Sequence, residues 1–245
     1  MTAPAPRRGR TVVVVAAVVV AVGIVAAVIG FVVLRTGTFS VTTVVVTGER
    51  HESAAQVVNV AGLRAAPPIA TVDTSAVALR LERHFPWIAS AAVTTHWPHT
   101  VTIAVTERIP VALVAGPRGA TDLVDVSGRR LGSPGHGQVL PTLSYAPARG
   151  TVLAATGPLP AAAAPGLMVA ATLPPAFAYQ VAAISVDARG WVTLHLATPV
   201  TFLLGPTTDL GAKYEDVAAV IARTTLHAGD VVDVSVPQSI TVTGP

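Results

Sequence analysis

The chain has 245 residues, a formal net charge of +3 and no cysteine, which excludes disulfide bonds and thiolate metal sites. Three of the 16 basic residues, Arg7, Arg8 and Arg10, lie near the start of the chain, whereas all 13 acidic residues follow residue 34. The part of the chain beyond residue 34 is therefore balanced in charge, and nothing in it favours nucleic-acid binding.

Residues 12–34 form an apolar run without a charged or strongly polar side chain. As a helix rising ~1.5 Å per residue, the run is about 35 Å long and can cross a hydrocarbon core of roughly 30 Å. A cleaved signal peptide is the alternative, but its apolar region is typically ~7–15 residues long, and no Ala-x-Ala site follows this run.

The flanking charges predict the orientation of this segment. Three arginines precede it and only Arg35 closely follows it, so the positive-inside rule predicts that the N-terminus is cytoplasmic. The sequence therefore predicts a cytoplasmic tail at residues 1–11, a transmembrane helix at 12–34 and an extracytoplasmic remainder. This is the type II single-pass topology of a cell-membrane protein.

After the span, the pattern changes to short strands and helices. Residues 39–48 are rich in β-branched side chains and predict a strand. Residues 49–62 predict a helix, with Glu52 or Ser53 as its N-cap and Gly62 at its C-terminal end. The first part of the exported chain therefore begins with a strand followed by a helix.

A second helix and a two-stranded hairpin follow. Residues 71–84 predict the helix, with Asp73 placed to cap its N-terminus. Residues 88–97 and 100–107 predict the two strands, joined by a turn at Pro98-His99. The resulting β-α-α-β-β unit is a three-stranded sheet with two helices on one face. The apolar residues expected on one face of the second helix are Val77, Leu81 and Phe85.

Several short motifs in this unit carry a resemblance to a known family. They are Val46-Thr47-Gly48, Val72-Asp73, Pro86-Trp87-Ile88, Trp97-Pro98, and Glu107-Arg108 followed by Pro110-Val111-Ala112. In this order, and directly after a single apolar span, residues 39–110 resemble the POTRA domain of the bacterial FtsQ/DivIB family of cell division proteins. The resemblance implies a membrane-proximal POTRA domain and a distal β domain.

The pattern of residues 111–245 predicts the mostly-β C-terminal domain. Together with the POTRA-like unit, it predicts an α+β fold class. Residues 125–131 and 140–143 resemble the family's Asp-x-x-Gly-x-x-Leu hairpin and Leu-Pro-x-Leu segment. Prolines between residues 156 and 175 predict a connection with at most a short helix at 167–173. Asp209 is expected to cap a helix at residues 210–225. The expected strands are 111–114, 123–126, 181–186, 191–196, 200–204, 231–236 and 239–242.

Enzyme signatures are absent from the sequence. It has no nucleophile elbow, zinc-binding helix, P-loop or dinucleotide-binding glycine motif, so no catalytic, cofactor-binding or metal residue is predicted. His96-x-x-His99 is the nearest approach to a metal pair, but it lies at a turn without a third ligand nearby. The adjacent carboxylates Glu215-Asp216 lie early in a helix, where they favour its dipole. The sequence predicts a non-enzymatic protein.

A binding function is better supported, because a partner strand can extend an exposed sheet edge. In FtsQ-like proteins the last strand of the β domain, backed by the preceding helix, receives a segment of FtsB, which is paired with FtsL. The resemblance implies the same partners here and a docking edge at residues 231–236, although Pro237 can interrupt the pairing. A buried core strand is the alternative. The candidate partner-binding residues are Lys213, Tyr214, Val231, Val232, Asp233, Val234, Ser235 and Val236.

The leading hypothesis is a bitopic scaffold that links early and late division proteins at the septum during peptidoglycan synthesis. A POTRA-containing membrane transport or protein-assembly factor is the first alternative, which tandem POTRA units or a C-terminal barrel would favour. A secreted cell-wall hydrolase is the second, and it requires an acid–base pair in a cleft. No small-molecule substrate is expected.

Overall fold

The computed structural model describes residues 8–35, 39–116, 119–135, 137–146 and 157–244. Its first element is helix α1, Arg8–Arg35. Within α1, Val15–Val32 is long and apolar enough to cross a membrane by length and composition. The predicted span at residues 12–34 is thus helical throughout. Residues 1–7 of the predicted tail, and residue 156 at the start of the predicted connection, lie outside the described residues.

The chain divides into two compact units, with the boundary between Glu107 and Arg108. After α1, the first unit contains a three-stranded sheet and two helices. Its elements in chain order are β1 (Thr43–Thr47), α2 (Ala54–Ala61), α3 (Thr74–His84), β2 (Ile88–His96) and β3 (Thr100–Glu107). β3 is central, parallel to β1 and antiparallel to β2. The predicted β-α-α-β-β order is confirmed.

Local sequence explains the start and end of both helices. The Ser53 hydroxyl accepts a hydrogen bond from the Gln56 backbone N–H at 3.3 Å, and the Gln56 side chain accepts one from the Ser53 N–H at 2.9 Å. Gly62 ends α2 in the left-handed conformation, with φ of 76°. The Asp73 carboxylate caps α3 by accepting a backbone N–H at 2.9 Å. Ser53, one of the two predicted candidates, is therefore the N-cap of α2.

The alternation along β3 creates the core of the first unit. Val101 and Ile103 are fully buried on one face of the sheet. Helix α3 contributes Val77 and Leu81, and Phe85 just beyond its end is buried as well. These are the apolar residues that the spacing placed on one face, so the predicted helix–sheet layer is confirmed.

The second unit is a nine-stranded mixed sheet with helices in its crossovers. Its strands are β4 (Pro110–Ala115), β5 (Thr121–Asp125), β6 (Arg130–Gly132), β7 (Thr142–Tyr145), β8 (Val181–Val186), β9 (Val192–Leu196), β10 (Thr201–Gly205), β11 (Val231–Asp233) and β12 (Thr241–Thr243). Across the sheet they run β12-β11-β10-β9-β8-β7-β4-β5-β6. The predicted α+β class with a mostly-β C-terminal region is confirmed.

Three helices lie in this unit: α4 (Ala164–Thr172), α5 (Pro175–Ala178) and α6 (Leu210–Arg223). The prediction of at most a short helix at residues 167–173 is wrong, because α4 begins at Ala164. Pro165 occupies its first turn, where the missing N–H breaks no intrahelical hydrogen bond. Asp209 does occupy the predicted N-cap position of α6, but it does not cap the helix with its side chain. Its φ is 53°, and its side chain makes no capping hydrogen bond within the described residues.

The hairpin between β5 and β6 has the form that the family pattern implied. The Asp125 carboxylate accepts hydrogen bonds from the Arg129 backbone N–H at 2.8 Å and from the Ser127 hydroxyl at 2.7 Å. Gly128 supplies the positive φ of 80° that the bend requires. Arg108 completes the group, with its Nη1 2.7 Å from the second Asp125 oxygen. A single buried carboxylate therefore organises this hairpin.

Candidate partner-binding edge

Three strands at one end of the nine-stranded sheet form the candidate partner-binding region. β10 and β11 are parallel, with Thr201 beside Val231 and Leu203 beside Asp233. Because parallel neighbours require a crossover, the chain passes through α6 between them. β12 then returns antiparallel to β11, with Thr243 beside Val231. This end of the sheet therefore runs β10, β11, β12.

Residues 231–236, predicted as the docking edge, do not form an edge strand of this sheet. Only Val231–Asp233 forms a strand, and it lies between β10 and β12. Val232 and Val234 are fully buried, as the alternative of a core strand requires. The backbone of β11 is therefore paired on both sides, and these two valines cannot reach a partner.

The chain leaves β11 through local hydrogen bonds. The Val234 N–H donates to the Leu203 carbonyl at 3.0 Å. The Ser235 N–H donates to the Asp233 carboxylate at 2.8 Å. In a longer strand this N–H would be available to a neighbouring strand. Val236, beyond this point, is 61% exposed. The strand therefore ends at Asp233, three residues earlier than predicted.

Helix α6 holds the turn that leads from β11 to β12. The Gln238 N–H donates to Asp216 Oδ2 at 2.9 Å, and the Ser239 N–H donates to the Val236 carbonyl at 3.1 Å. Gln238 itself has a positive φ of 65°. Asp216, expected only to favour the helix dipole, thus also fixes the direction in which the chain enters β12.

Lys213 lies inside the second unit and not on its surface. Its side chain is fully buried, and its Nζ donates to the Pro206 carbonyl at 2.6 Å. Burial lowers the pKa of Lys213, and the nearby Asp209 carboxylate opposes that change. In this structure the ammonium group holds the loop before α6 and is not at the surface, so partner contact by Lys213 remains a prediction.

Tyr214 is also a core residue. Only 9% of it is exposed, and its hydroxyl lies 2.9 Å from the Thr172 hydroxyl at the end of α4. Burial raises the pKa of Tyr214, which the hydrogen bond with Thr172 partly offsets. Tyr214 therefore joins α6 to α4 and does not present a surface to a partner.

The nine-stranded sheet ends in β12 on one side and in β6 on the other, and β12 is the edge strand of the candidate region. Thr241–Thr243 pairs with β11 on one side, and no strand of the described part of the chain pairs with the other. All three of its residues are exposed. Val236, Ile240 and Val242 are exposed large apolar residues in and just before this strand. An exposed strand edge with apolar side chains beside it can be continued by an extended segment of another protein.

Sequence reasoning missed the importance of β12 because the strand is short and exposed. The run Ile240-Thr241-Val242-Thr243 has high strand propensity, which predicts a strand here. Because no residue of β12 is buried, however, the sequence shows no alternation that would place the strand in the sheet. The order of strands in the sheet, which no local pattern supplies, is what distinguishes β12 from β11.

Among the residues that the structure describes, no group of three or more His, Cys, Asp or Glu side chains could hold a metal ion. His96 and His99 make separate contacts. His96 Nε2 lies 3.4 Å from the Thr94 hydroxyl, whereas His99 Nδ1 lies 3.0 Å from the Ser40 carbonyl. The two imidazoles thus serve local hydrogen bonding around the β2–β3 turn.

The fold and the edge define a two-unit α+β protein with one helix suited to a membrane anchor. Its residues 39–108 match the family model described as POTRA domain, FtsQ-type. The chain is 28% identical to cell division protein FtsQ of Mycobacteroides abscessus over 224 residues, 91% of this chain and 68% of that protein. It is 27% identical to FtsQ of Mycobacterium leprae over 87% of this chain and 59% of that protein.

A third relative is FtsQ of Streptomyces coelicolor, 38% identical over 103 residues, 42% of this chain and 39% of that protein. The match to FtsQ of Streptomyces collinus covers 26% of that protein. The resemblance to the FtsQ family is confirmed: residues 39–108 are a POTRA domain of the FtsQ type, and the chain is a relative of cell division protein FtsQ. These relatives support a role in cell division.

Proposed function

We propose that this protein is a bitopic, non-enzymatic scaffold of the division machinery. It binds FtsB-like and FtsL-like proteins and links early and late division proteins during septal peptidoglycan synthesis. The observation that carries this proposal is the exposed, unpaired edge of β12 in a relative of FtsQ. Its domains are a POTRA domain at residues 39–110 and a β domain at 111–245.

The docking edge of this proposal is β12, and the buried residues around β11 position it. Lys213 and Tyr214 anchor α6 from within, and α6 fixes the turn into β12 through Asp216. A partner segment that pairs with Thr241–Thr243 gains main-chain hydrogen bonds from β12. It gains apolar contacts from Val236 and Val242, two exposed side chains near that edge.

The proposed topology follows from α1 and its flanking charges. The N-terminus is cytoplasmic, α1 crosses the cell membrane once, and both folded units lie outside, at the division septum. In this arrangement a fluorescent fusion concentrates at mid-cell, and depletion of the protein gives filamentous or branched cells. Uniform membrane fluorescence together with normal division after depletion would contradict the scaffold role.

The docking edge is tested by copurifying the full chain with the FtsB-like and FtsL-like proteins of the same cell. In an antiparallel strand, successive backbone N–H groups point to opposite edges. Of Val242→Pro and Thr243→Pro, one therefore removes an outward N–H, and the other removes an N–H that faces β11. The outward substitution weakens the complex by about fivefold or more, because the lost main-chain hydrogen bond is worth about 1 kcal/mol.

The matched control is Thr243→Val, which keeps every backbone N–H, the β-branched shape of the side chain and the apolar contacts of Val242. This variant is expected to bind like the wild type. Circular dichroism must show wild-type folding for the outward proline variant. Unchanged copurification of both proline variants would exclude β12 as the docking edge.

A further inference from the structure

The strand register of the first unit shows which end of the POTRA domain the anchor enters. Thr43, at the start of β1, lies beside Thr100 at the start of β3. Thr100 also pairs with His96, at the end of β2. The β2–β3 turn therefore lies at the same end of the sheet as the point where the chain arrives from α1. The opposite end is marked by Ile88 beside Glu107.

An aromatic group lies at the anchor end. The ring of Phe39 packs edge-on against Trp97, with 5.9 Å between the ring centroids, and stacks with His99 at 6.3 Å. His99 is held by its hydrogen bond to the Ser40 carbonyl. Trp97 is 51% exposed despite its contact with Phe39. We call Phe39, Trp97 and His99 the aromatic tip.

Chain length keeps the aromatic tip close to the membrane surface. Helix α1 ends at Arg35. Four Cα–Cα steps of at most ~3.8 Å each place Phe39 within about 15 Å of Arg35, whatever path the chain takes. Because Trp97 packs on Phe39, the exposed indole lies within reach of the headgroup region that begins where the span ends.

The charges near the aromatic tip suit an anionic headgroup layer. The segments 39–44, 66–72 and 95–100, which meet at this end, contain no acidic residue. Arg64, just before one of them, is exposed. The nearest carboxylate in sequence, Asp73, is occupied as the cap of α3. By contrast, Glu107 and the strand end at residues 47–49 lie at the far end of the sheet.

We propose that the aromatic tip inserts Trp97 into the phospholipid headgroup interface, which sets the orientation of the POTRA domain on the bilayer. Indole rings favour this layer because one part is apolar and the N–H remains hydrated. The occupant of this surface is lipid, since the covalent anchor holds the tip at the bilayer before any other partner arrives. The inference requires only that α1 spans the membrane and is independent of the β12 docking edge.

The test uses the full chain reconstituted in vesicles of phosphatidylglycerol and phosphatidylethanolamine. The chain has three tryptophans. The double variant Trp87→Phe and Trp191→Phe leaves Trp97 as the sole tryptophan. Lipid brominated near the glycerol end of the acyl chain is expected to lower Trp97 emission about twofold, because bromine quenches only at short range and Trp97 lies in the interface.

The matched control is the chain that keeps only Trp87, which lies beside Ile88 at the far end of the sheet and is expected to show no such quenching. A second measurement does not depend on tryptophan replacement. Because the chain has no cysteine, spin labels at His96→Cys and Glu52→Cys report depth at the two ends. The ratio of collisions with lipid-soluble oxygen to collisions with a water-soluble relaxation agent is expected to be higher for the label at residue 96 than for the label at residue 52.

Equal quenching of Trp97 and Trp87, with equal label accessibility, would overturn the lipid contact. If the protein still pellets with the vesicles, that result leaves the anchor and the scaffold role intact. Shielding of Trp97 that appears only after a division protein is added would assign the aromatic tip to a protein partner and would likewise overturn the inference.

Discussion

At the scale of single residues, the ion pair of Arg108 with Asp125 is a largely buried polar contact of the second unit. Asp125 is 4% exposed, and its carboxylate also accepts from Ser127 and Arg129. Arg108 Nε is buried without a hydrogen-bond partner of its own in the described residues. The guanidinium group therefore depends on the carboxylate for compensation.

We expect Asp125→Ala to lower the free energy of unfolding by about 3 kcal/mol, because it leaves the buried guanidinium unpaired and removes the hydrogen-bond acceptor of the hairpin. Denaturant unfolding of the full chain in detergent, followed by circular dichroism, measures the change. Asp122→Ala is the matched control. It breaks the pair of Asp122 with Arg130, with Nη1 2.9 Å from Oδ2. The Asp122 carboxylate is the more exposed of the two acids, and Arg130 keeps a hydrogen bond to the Ala115 carbonyl, so this variant is expected to cost only about 1 kcal/mol. Equal losses in the two variants would contradict the role of Asp125.

The same carboxylates predict how stability depends on pH. Burial alone would raise the pKa of Asp125, but hydrogen bonds from Ser127, Arg108 and Arg129 outweigh it and lower the pKa. At Glu107, burial is likewise outweighed by hydrogen bonds from the backbone and ring of His51 and the backbone of Arg50, which lower its pKa. Both groups are therefore easier to ionise in the folded protein than in the unfolded chain.

Because the folded-state pKa values are depressed, both groups contribute stability at neutral pH. That contribution begins to fall near the ordinary values of 3.8 and 4.5, and it is lost as pH drops through the lower folded values. Unfolding midpoints measured from neutral to strongly acidic pH should decrease within this pH range. The decline should be shallower in Asp125→Asn than in the wild type. An identical slope in both proteins would show that Asp125 does not titrate with folding.

Single residues also show where sequence reasoning stops. Gly48 could be predicted as the end of the first strand, and the structure gives the cause: a Cβ there would collide with the Val105 carbonyl oxygen. Lys213 could not be predicted in the same way. A lysine in an amphipathic helix is typical of an exposed position, and only the tertiary contact with Pro206 identifies it as buried.

At the scale of elements, α4 packs unusually close to the sheet. A Cβ built on Gly166 would collide with Leu143 and would lie 2.8 Å from Val186, two residues of neighbouring strands. Gly166 is itself buried within the first turns of α4. The glycine therefore sets the distance between the helix and strands β7 and β8, at a cost in helix propensity.

We expect Gly166→Ala to destabilise the protein by about 1–3 kcal/mol, because overpacking outweighs the gain in helix propensity. Gly211→Ala is the matched control in α6. A Cβ there has no neighbour within 4 Å among the described residues, so this variant is expected to be neutral or up to about 1 kcal/mol more stable. Thermal unfolding of the two variants separates these effects, and a stabilised Gly166→Ala protein would exclude the close packing.

The elements differ in how well sequence alone predicts them. Strand β3 and helix α3 were predictable because buried side chains recur at periods that only those elements have. Helix α4 was not, because Pro165 is a helix breaker in general but is compatible with a first turn. β12 was predicted as strand material but not as an edge, since strand order depends on pairings between distant residues.

At the scale of the whole molecule, the anchor and the two units have separate tasks. Helix α1 is long and apolar enough to cross a membrane, the POTRA domain follows within a few residues, and the second unit carries the edge strand β12. A partner segment can pair with β12 only if both lie in the same compartment. The direction in which α1 crosses the membrane therefore decides whether the proposed scaffold can work.

That direction can be reversed in principle by its flanking charges. Replacing Arg7, Arg8 and Arg10 with alanine leaves Arg35 as the nearest cation, which favours retention of the C-terminal side in the cytoplasm. In the otherwise cysteine-free chain, Glu52→Cys reports the location of the POTRA domain through a membrane-impermeant maleimide applied to intact spheroplasts. Labelling is expected to fall at least about twofold in the triple-alanine variant, because part of the population inserts the other way or fails to translocate.

The control removes three exposed arginines far from the span, Arg83, Arg189 and Arg223, and should leave labelling unchanged, since only charges within about 15–20 residues of a span set its orientation. If the N-terminal triple-alanine variant is labelled as fully as the Glu52→Cys chain that keeps its arginines, the flanking charges do not determine the topology. If the Glu52→Cys chain with its N-terminal arginines intact is not labelled at all, β12 faces the cytoplasm, and an extracytoplasmic partner cannot dock there.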